Sequence, residues 1–219
     1  MNLVTSNLPS DWLIPLWATA LLLLLVMAKR LNWKRLREKD DLNIFLGATV
    51  AVLGLWMIHT GIRPGLSFHL LGASALTLMF GPWFALLAFA LINAALALWH
   101  GQLDAWPINW LIYGALPILF SWRLYRFVDR RLPNHFFIYI FLNAFFGAAL
   151  AVGLTGLLST GFLTLSEAYP LDYLLDQYLP YCLLMAWAEA FSTGMLITVI
   201  VVYKPAWIAT FDDRRYLNR

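Results

Sequence analysis

The chain alternates between long, uninterrupted apolar runs and short segments that carry nearly all of its charge. A helix needs about 20 predominantly apolar residues to cross the hydrocarbon core of a bilayer. Runs of that kind predict spans at about 12–28, 43–60, 65–80, 82–99, 107–122, 136–162 and 177–203. The third and fourth are separated only by "FGPW". Together they are too long for a single span, Pro82 lacks the amide a continuous helix needs, and Gly81 supplies a tight turn. They are therefore read as two.

Charge tests this count independently, because Lys and Arg collect in cytoplasmic loops. With the N-terminus outside and seven alternating spans, the inner segments are 29–42, 81–82, 123–135 and 204–219. All of the 15 basic residues except Arg63 then lie inside. Treating 65–99 as one span would reverse the parity and move the later basic clusters outside. The expected architecture is an all-α integral membrane protein with seven spans, N-terminus out and C-terminus in, as a single transmembrane domain over 1–219. Trp12–Ala28 reads as a retained helix rather than a signal peptide, because its positive cluster follows the apolar run and its "ATA" lies inside it. Asp104, Glu167, Asp172 and Asp176 fall in outer loops, and the longest of these, 163–176, is expected to hold interfacial structure. Trp12, Trp99, Trp106 and Trp110 lie near outer boundaries, as an aromatic belt would have them. The small residues of 144–161 predict close helix approach. The end "TFDDRRYLNR" reads as a solvated tail or a docking surface.

Composition agrees, with 62% hydrophobic and 12% charged residues, where a soluble domain carries roughly twice that charge. The net charge of +3 reflects membrane orientation rather than nucleic-acid binding. The lone Cys182 excludes an internal disulfide or CxxC motif and reads as a packing residue. P-loop, H-E-x-x-H and G-x-S-x-G patterns are absent, and no nucleophile–base pair stands at a credible spacing. The chain carries no ATPase and does not read as an enzyme.

Polar residues within the apolar runs are the candidate chemistry. His59, His69 and His100 fall at the predicted outer ends of spans two, three and four, and Asn109 opens span five on the same side. Imidazole is a common ligand for nickel, copper, cobalt or zinc. For His59 and His100, hydrogen bonding to water or headgroups is the competing account, and His135 reads as a cytoplasmic boundary residue. His69 differs because it sits within "PGLSFHLLG". Pro64 and Gly65 predict a turn, Ser67 a helix cap, and His69 a place in the first helical turn. Glu189 lies mid-span, where a carboxylate costs a few kcal/mol and faces the interior or a cavity. It can bind a cation, carry a proton, or hydrogen-bond a neighbour such as Asn93 or Asn143, and Thr193 one turn later shares its face.

The run "RPGLSFHLLGASALTLMFGPWFALLAFALINAALALWHG" resembles the central region of CbiM/NikM-type proteins, the substrate-binding membrane components of cobalt and nickel energy-coupling factor importers. "NWLIYGALP" and "AEAFSTGMLITVIVVYKP" resemble further segments of that family, so the likeness runs from about residue 43 to 205. It implies that the N-terminus folds back into the helix core. It also implies that the metal is held by nitrogens of Met1, the second residue and His69. Here Asn2 stands where the family has histidine, which removes one imidazole. A changed metal preference, a replacement ligand such as His59 or His100, or loss of metal binding each follow from that departure.

The expected function is a substrate-binding permease component that takes up a divalent transition metal, cobalt or nickel by resemblance with copper also open, across the inner membrane. The metal is cargo, and no cofactor is expected. The partners expected are a coupling transmembrane subunit and ATPase subunits, within a lipid bilayer and without nucleic acid. The rival readings are a scaffold or assembly factor without metal, and a transporter of another small solute.

Overall fold

The computed structural model describes residues 3–4, 8–35, 38–64 and 66–216. After a short turn at Ser10–Trp12, α1 runs Leu13–Arg30 and α2 Lys39–Met57. The strands β1, Thr60–Arg63, and β2, Leu66–Phe68, pair antiparallel with Thr60 opposite Phe68. Then follow α3, Ala73–Phe80, and α4, Pro82–His100. A composite helix α5 covers 106–131, and α6 is Phe136–Leu165. The chain continues through α7, Leu171–Gln177, α8, Leu179–Tyr203, and α9, Asp213–Tyr216. Among the described residues, five stretches are helical, long and apolar enough to cross a membrane: 10–30, 40–57, 82–100, 136–165 and 171–203.

The expected third span is built differently from a helix. Only Ala73–Phe80 is helical, and all eight of its residues are buried. The stretch before it is the hairpin strand β2 and a non-helical linker, 69–72. Ser67 is therefore a strand residue rather than a helix cap, and His69 precedes the helix instead of lying in its first turn. Gly72 sets the boundary. Its φ of +71° suits a residue without Cβ, and a Cβ there would meet Val52 Cγ2 at 3.0 Å. Gly81, with φ +82°, makes the corresponding break before Pro82 opens α4.

The central half-helix α3 is enclosed by α4, α5, α6 and α8. Ser74 and Ser121 join their hydroxyls at 2.7 Å, tying α3 to α5 inside the bundle. The small-residue expectation for α6 holds at Gly156, where a Cβ would come within 2.7 Å of Cys182 Cβ on α8. Cys182 itself is fully buried. Two helices contain π-helical turns, 110–115 in α5 and 139–146 in α6. In α5 the wide turn precedes Pro117, which has no amide to give the carbonyl of Tyr113.

Two expectations about the ends of the bundle need correction. Trp106 and Trp110 are not interfacial anchors: both are buried, and their indoles donate to the carbonyls of Ala90 and Leu86. Trp99, 76% exposed, keeps the position expected of an anchor. The C-terminal segment is not a solvated tail through Tyr216. Ala209 N donates to Met79 O, and the Thr210 hydroxyl donates to Leu78 O at 2.7 Å. These bonds satisfy carbonyls at the end of α3 that the helix itself leaves open. Phe211 and Tyr216 pack face to face over Tyr139, while Arg215 and the Tyr216 hydroxyl both reach Asp129. His135 caps α6, accepting from the amide of Phe137.

Candidate metal-binding site

Strand β2 carries the chain inward to His69, which is 5% exposed. The imidazole lies against the Trp56 ring, with centroids 4.3 Å apart. Trp56 in turn donates its indole hydrogen to Leu71 O at 3.0 Å, so one side chain of α2 holds both the ring and the backbone beside it. His69 Nδ1 lies 3.1 Å from Leu70 O. A carbonyl oxygen only accepts, so in this contact Nδ1 is the donor and the ring is oriented by the backbone. That is the arrangement of a metal-ligating histidine whose other nitrogen is anchored by the backbone.

Glu189 reaches the same linker from α8. Its Oε2 accepts from Leu71 N at 2.8 Å and its Oε1 from Gly72 N at 2.7 Å. The carboxylate is 2% exposed. Two adjacent amides thus take up both carboxylate oxygens, at the point where the backbone turns into the free N-terminal end of α3. Asn93 and Asn143, the expected partners, do not supply these bonds. Asn93 donates to Phe89 O within its own helix, and the buried Asn143 amide has no hydrogen-bond partner among the described residues. Thr193 is buried on the same helix face. Glu189 is therefore placed to shape the His69 linker.

Asn109 anchors the beginning of the chain. Its Oδ1 accepts from Leu3 N at 2.7 Å and its Nδ2 donates to Leu3 O at 2.9 Å. Leu3 is fully buried. Leu3 is thus drawn into the bundle, in keeping with the place the family resemblance implies for the beginning of the chain. The expected ligands Met1 and Asn2 lie outside the described residues.

An open cavity of about 540 Å³ lies above His69. Val4 and Trp56 line it, and hairpin residues including Ser67 form one wall. His59 and His100 also line it, and both are exposed. The three histidines expected on one face therefore meet in one cavity, with His69 the buried member. Among the described residues, no three His, Cys, Asp or Glu side chains come together as a metal-holding cluster. The hairpin is fastened at its turn, where the Tyr169 hydroxyl donates to Pro64 O at 2.7 Å and the Arg63 guanidinium lies 4.7 Å from the Tyr173 ring centre.

The family model described as the CbiM cobalt-uptake substrate-specific transmembrane region matches residues 3–207. The chain belongs to the CbiM family. Two solved structures share the fold. One, a truncated transition metal transporter, is 19% identical with a TM-score of 0.80, covering 93% of this chain and 99% of its own. The other, a transition metal transporter, is 20% identical with a TM-score of 0.78, covering 91% of this chain and 92% of its own. No curated protein matches the chain.

Sequence reasoning singled out His69, Asn109 and Glu189, whose surroundings are described above, but it did not single out Trp56 or the backbone amides of Leu71 and Gly72. Trp56 carried no signal beyond its place near the end of an apolar run. The Gly72 break was visible as a glycine within "HLLGAS".

Proposed function

We propose that this CbiM-family protein is the substrate-binding membrane component of a divalent transition-metal importer, with cobalt or nickel as cargo. The observation that carries this reading is the environment of His69. Its ring is packed on Trp56 and oriented by Leu70 O, at the buried end of an open cavity and in the same bundle end where Asn109 receives the N-terminal stretch. In this reading the ion sheds water onto His69 Nε2 and onto donors of Met1 and Asn2.

Seven crossings fit this assignment. Five are the long helices. The sixth is α5, and the seventh is the segment 66–80. The three residues of β2 at about 3.3 Å each and the eight of α3 at 1.5 Å supply roughly 22 Å, and the linker 69–72 carries the segment on towards the hydrocarbon core's thickness of about 30 Å. Irregular backbone at membrane depth is tolerated where it is enclosed in protein or lines a cavity, and transporters place substrate sites at such broken helices. The N-terminus and the cavity then face outward, and the basic segments face the cytoplasm. Energised uptake across the inner membrane requires a coupling membrane subunit and ATPase subunits, because the chain has no nucleotide site. No catalytic step belongs to this role, and the whole chain acts as one transmembrane domain.

The test is cellular metal content. Cells producing the protein with its transport partners should accumulate cobalt or nickel above cells lacking it, and His69→Ala should abolish the difference. Unchanged content across a panel of nickel, cobalt, copper and zinc would refute the proposal.

A further inference from the structure

His59 and His100 are the cavity's further imidazoles, beside the buried His69. Both are exposed and both line the cavity above His69. His59 repeats the arrangement of His69 on a neighbouring piece of backbone: its Nδ1 lies 3.2 Å from Met57 O. The carbonyl can only accept, so this contact orients the ring with Nδ1 towards the backbone and Nε2 away from it. Two imidazoles of one cavity thus each present Nδ1 to a backbone oxygen.

His100 is placed by the end of a helix. It is the last residue of α4, where Gly101 takes a left-handed conformation and stops the helix. The partial negative charge of a helix C-terminus favours a cation there. His100 also borders a small niche shared with Gln102 and Asn109. Asn109 is the residue that holds Leu3. This imidazole therefore stands between the open cavity and the wall that receives the N-terminal stretch. Arg63, the one cation among the described residues of the cavity wall, has its guanidinium over the Tyr173 ring, whose negative face offsets part of the charge opposing a metal ion.

We propose that His59 and His100 form a second, weaker divalent-metal site at the mouth of this cavity, which captures the hydrated ion and passes it to His69. The inference rests on the assignment of metal uptake given above and extends it to the route of entry. The described residues hold no cluster of three His, Cys, Asp or Glu side chains. An ion at the mouth therefore keeps several waters, a condition that favours fast exchange over storage. A direct path from solvent to a buried, nearly closed site would otherwise require the ion to lose its water in one step.

The test uses the purified full chain with its native N-terminus in lipid nanodiscs, with cobalt or nickel alone as the probe. Equilibrium titration and stopped-flow mixing are compared for the wild type, His69→Ala and the pair His59→Ala with His100→Ala. The His69 variant should lose the tight class of binding and keep a weak one. The paired variant should lose the weak class and fill the tight class about tenfold more slowly, a change within the range that surface variants impose on association rates. His59→Gln with His100→Gln provides a pair closer in size and should behave in the same way. A paired variant with unchanged weak binding and an unchanged filling rate would overturn the capture site. A wild type with only the weak class, lost in the paired variant, would support the capture site while refuting tight binding at His69.

Discussion

Leu3 and Asn109 exchange two hydrogen bonds across 106 positions of sequence, amide to Oδ1 and Nδ2 to carbonyl. A single side chain thus satisfies both backbone groups of a buried residue and fixes the register of the N-terminal stretch beside the His69 cavity. Asn109→Ala leaves that amide and carbonyl unpaired, at a cost of about 1–3 kcal/mol for a buried group. Isothermal titration should show metal affinity lower by at least tenfold in this variant. Asn109→Asp keeps the acceptor for Leu3 N and loses the donor to Leu3 O, so its affinity should fall between the two.

Glu189 shapes the linker that carries His69, and its two bonds distinguish a geometric role from a ligand role. Gln accepts from only one of the two amides and sets its own NH₂ against the other. Glu189→Gln should therefore lower metal affinity by roughly 10–100-fold, the usual effect of disturbing groups that orient a ligand. The tight-class stoichiometry should remain unchanged. Loss of one coordinating oxygen from the metal's absorption spectrum in this variant would instead make Glu189 a direct ligand.

Gly156 and Cys182 set the approach of α6 to α8. A Cβ at 156 would lie 2.7 Å from Cys182 Cβ and 3.0 Å from Sγ, so Gly156→Ala should destabilise the bundle by about 1–3 kcal/mol. Removing the sulfur in Gly156→Ala with Cys182→Ala relieves only the Sγ contact, because the Cβ remains. Cys182→Gly is the compensating partner. The double variant Gly156→Ala with Cys182→Gly should recover most of the lost thermal stability in detergent.

Thr210 holds the C-terminal segment against the bundle. Its hydroxyl donates to Leu78 O and pairs with the Tyr139 hydroxyl, both at 2.7 Å. Thr210→Val keeps the shape and removes these bonds, which should cost about 1–3 kcal/mol. Hydrogen exchange should rise first in 204–216 and in the last turn of α3. Equal protection in the variant and the wild type would contradict this account.

The long helices were legible in the sequence because a run of apolar residues has little choice of structure in a bilayer. The stretch 65–80 was read as a helix for the same reason, and there the reasoning was incomplete. Hydropathy counts apolar residues and is blind to whether an enclosed backbone is helical or extended. The Gly72 break, not the apolar run, held that information. Chemistry was legible where a residue was anomalous in its surroundings, as His69 and Glu189 are in apolar runs. Their partners were not, because backbone amides and the carbonyl of Leu70 carry no sequence label. Trp106 and Trp110 were misplaced at the interface because the aromatic-belt pattern does not tell an outer face from an inner one. The C-terminal segment was misread because Asp212, Asp213, Arg214 and Arg215 dominate its composition. The buried residues Thr210, Phe211 and Tyr216 are what dock it.

The central claim is that His69 holds a transition metal together with the folded-in beginning of the chain. The most direct measurement is X-ray absorption and metal analysis of purified protein with an untagged N-terminus, beside His69→Ala, after loading with nickel or cobalt. The account predicts near-stoichiometric metal in a nitrogen-rich first shell with an imidazole signature, lost in the variant. A folded wild type that retains no metal after desalting, or a His69→Ala protein that retains it equally well, would contradict the account.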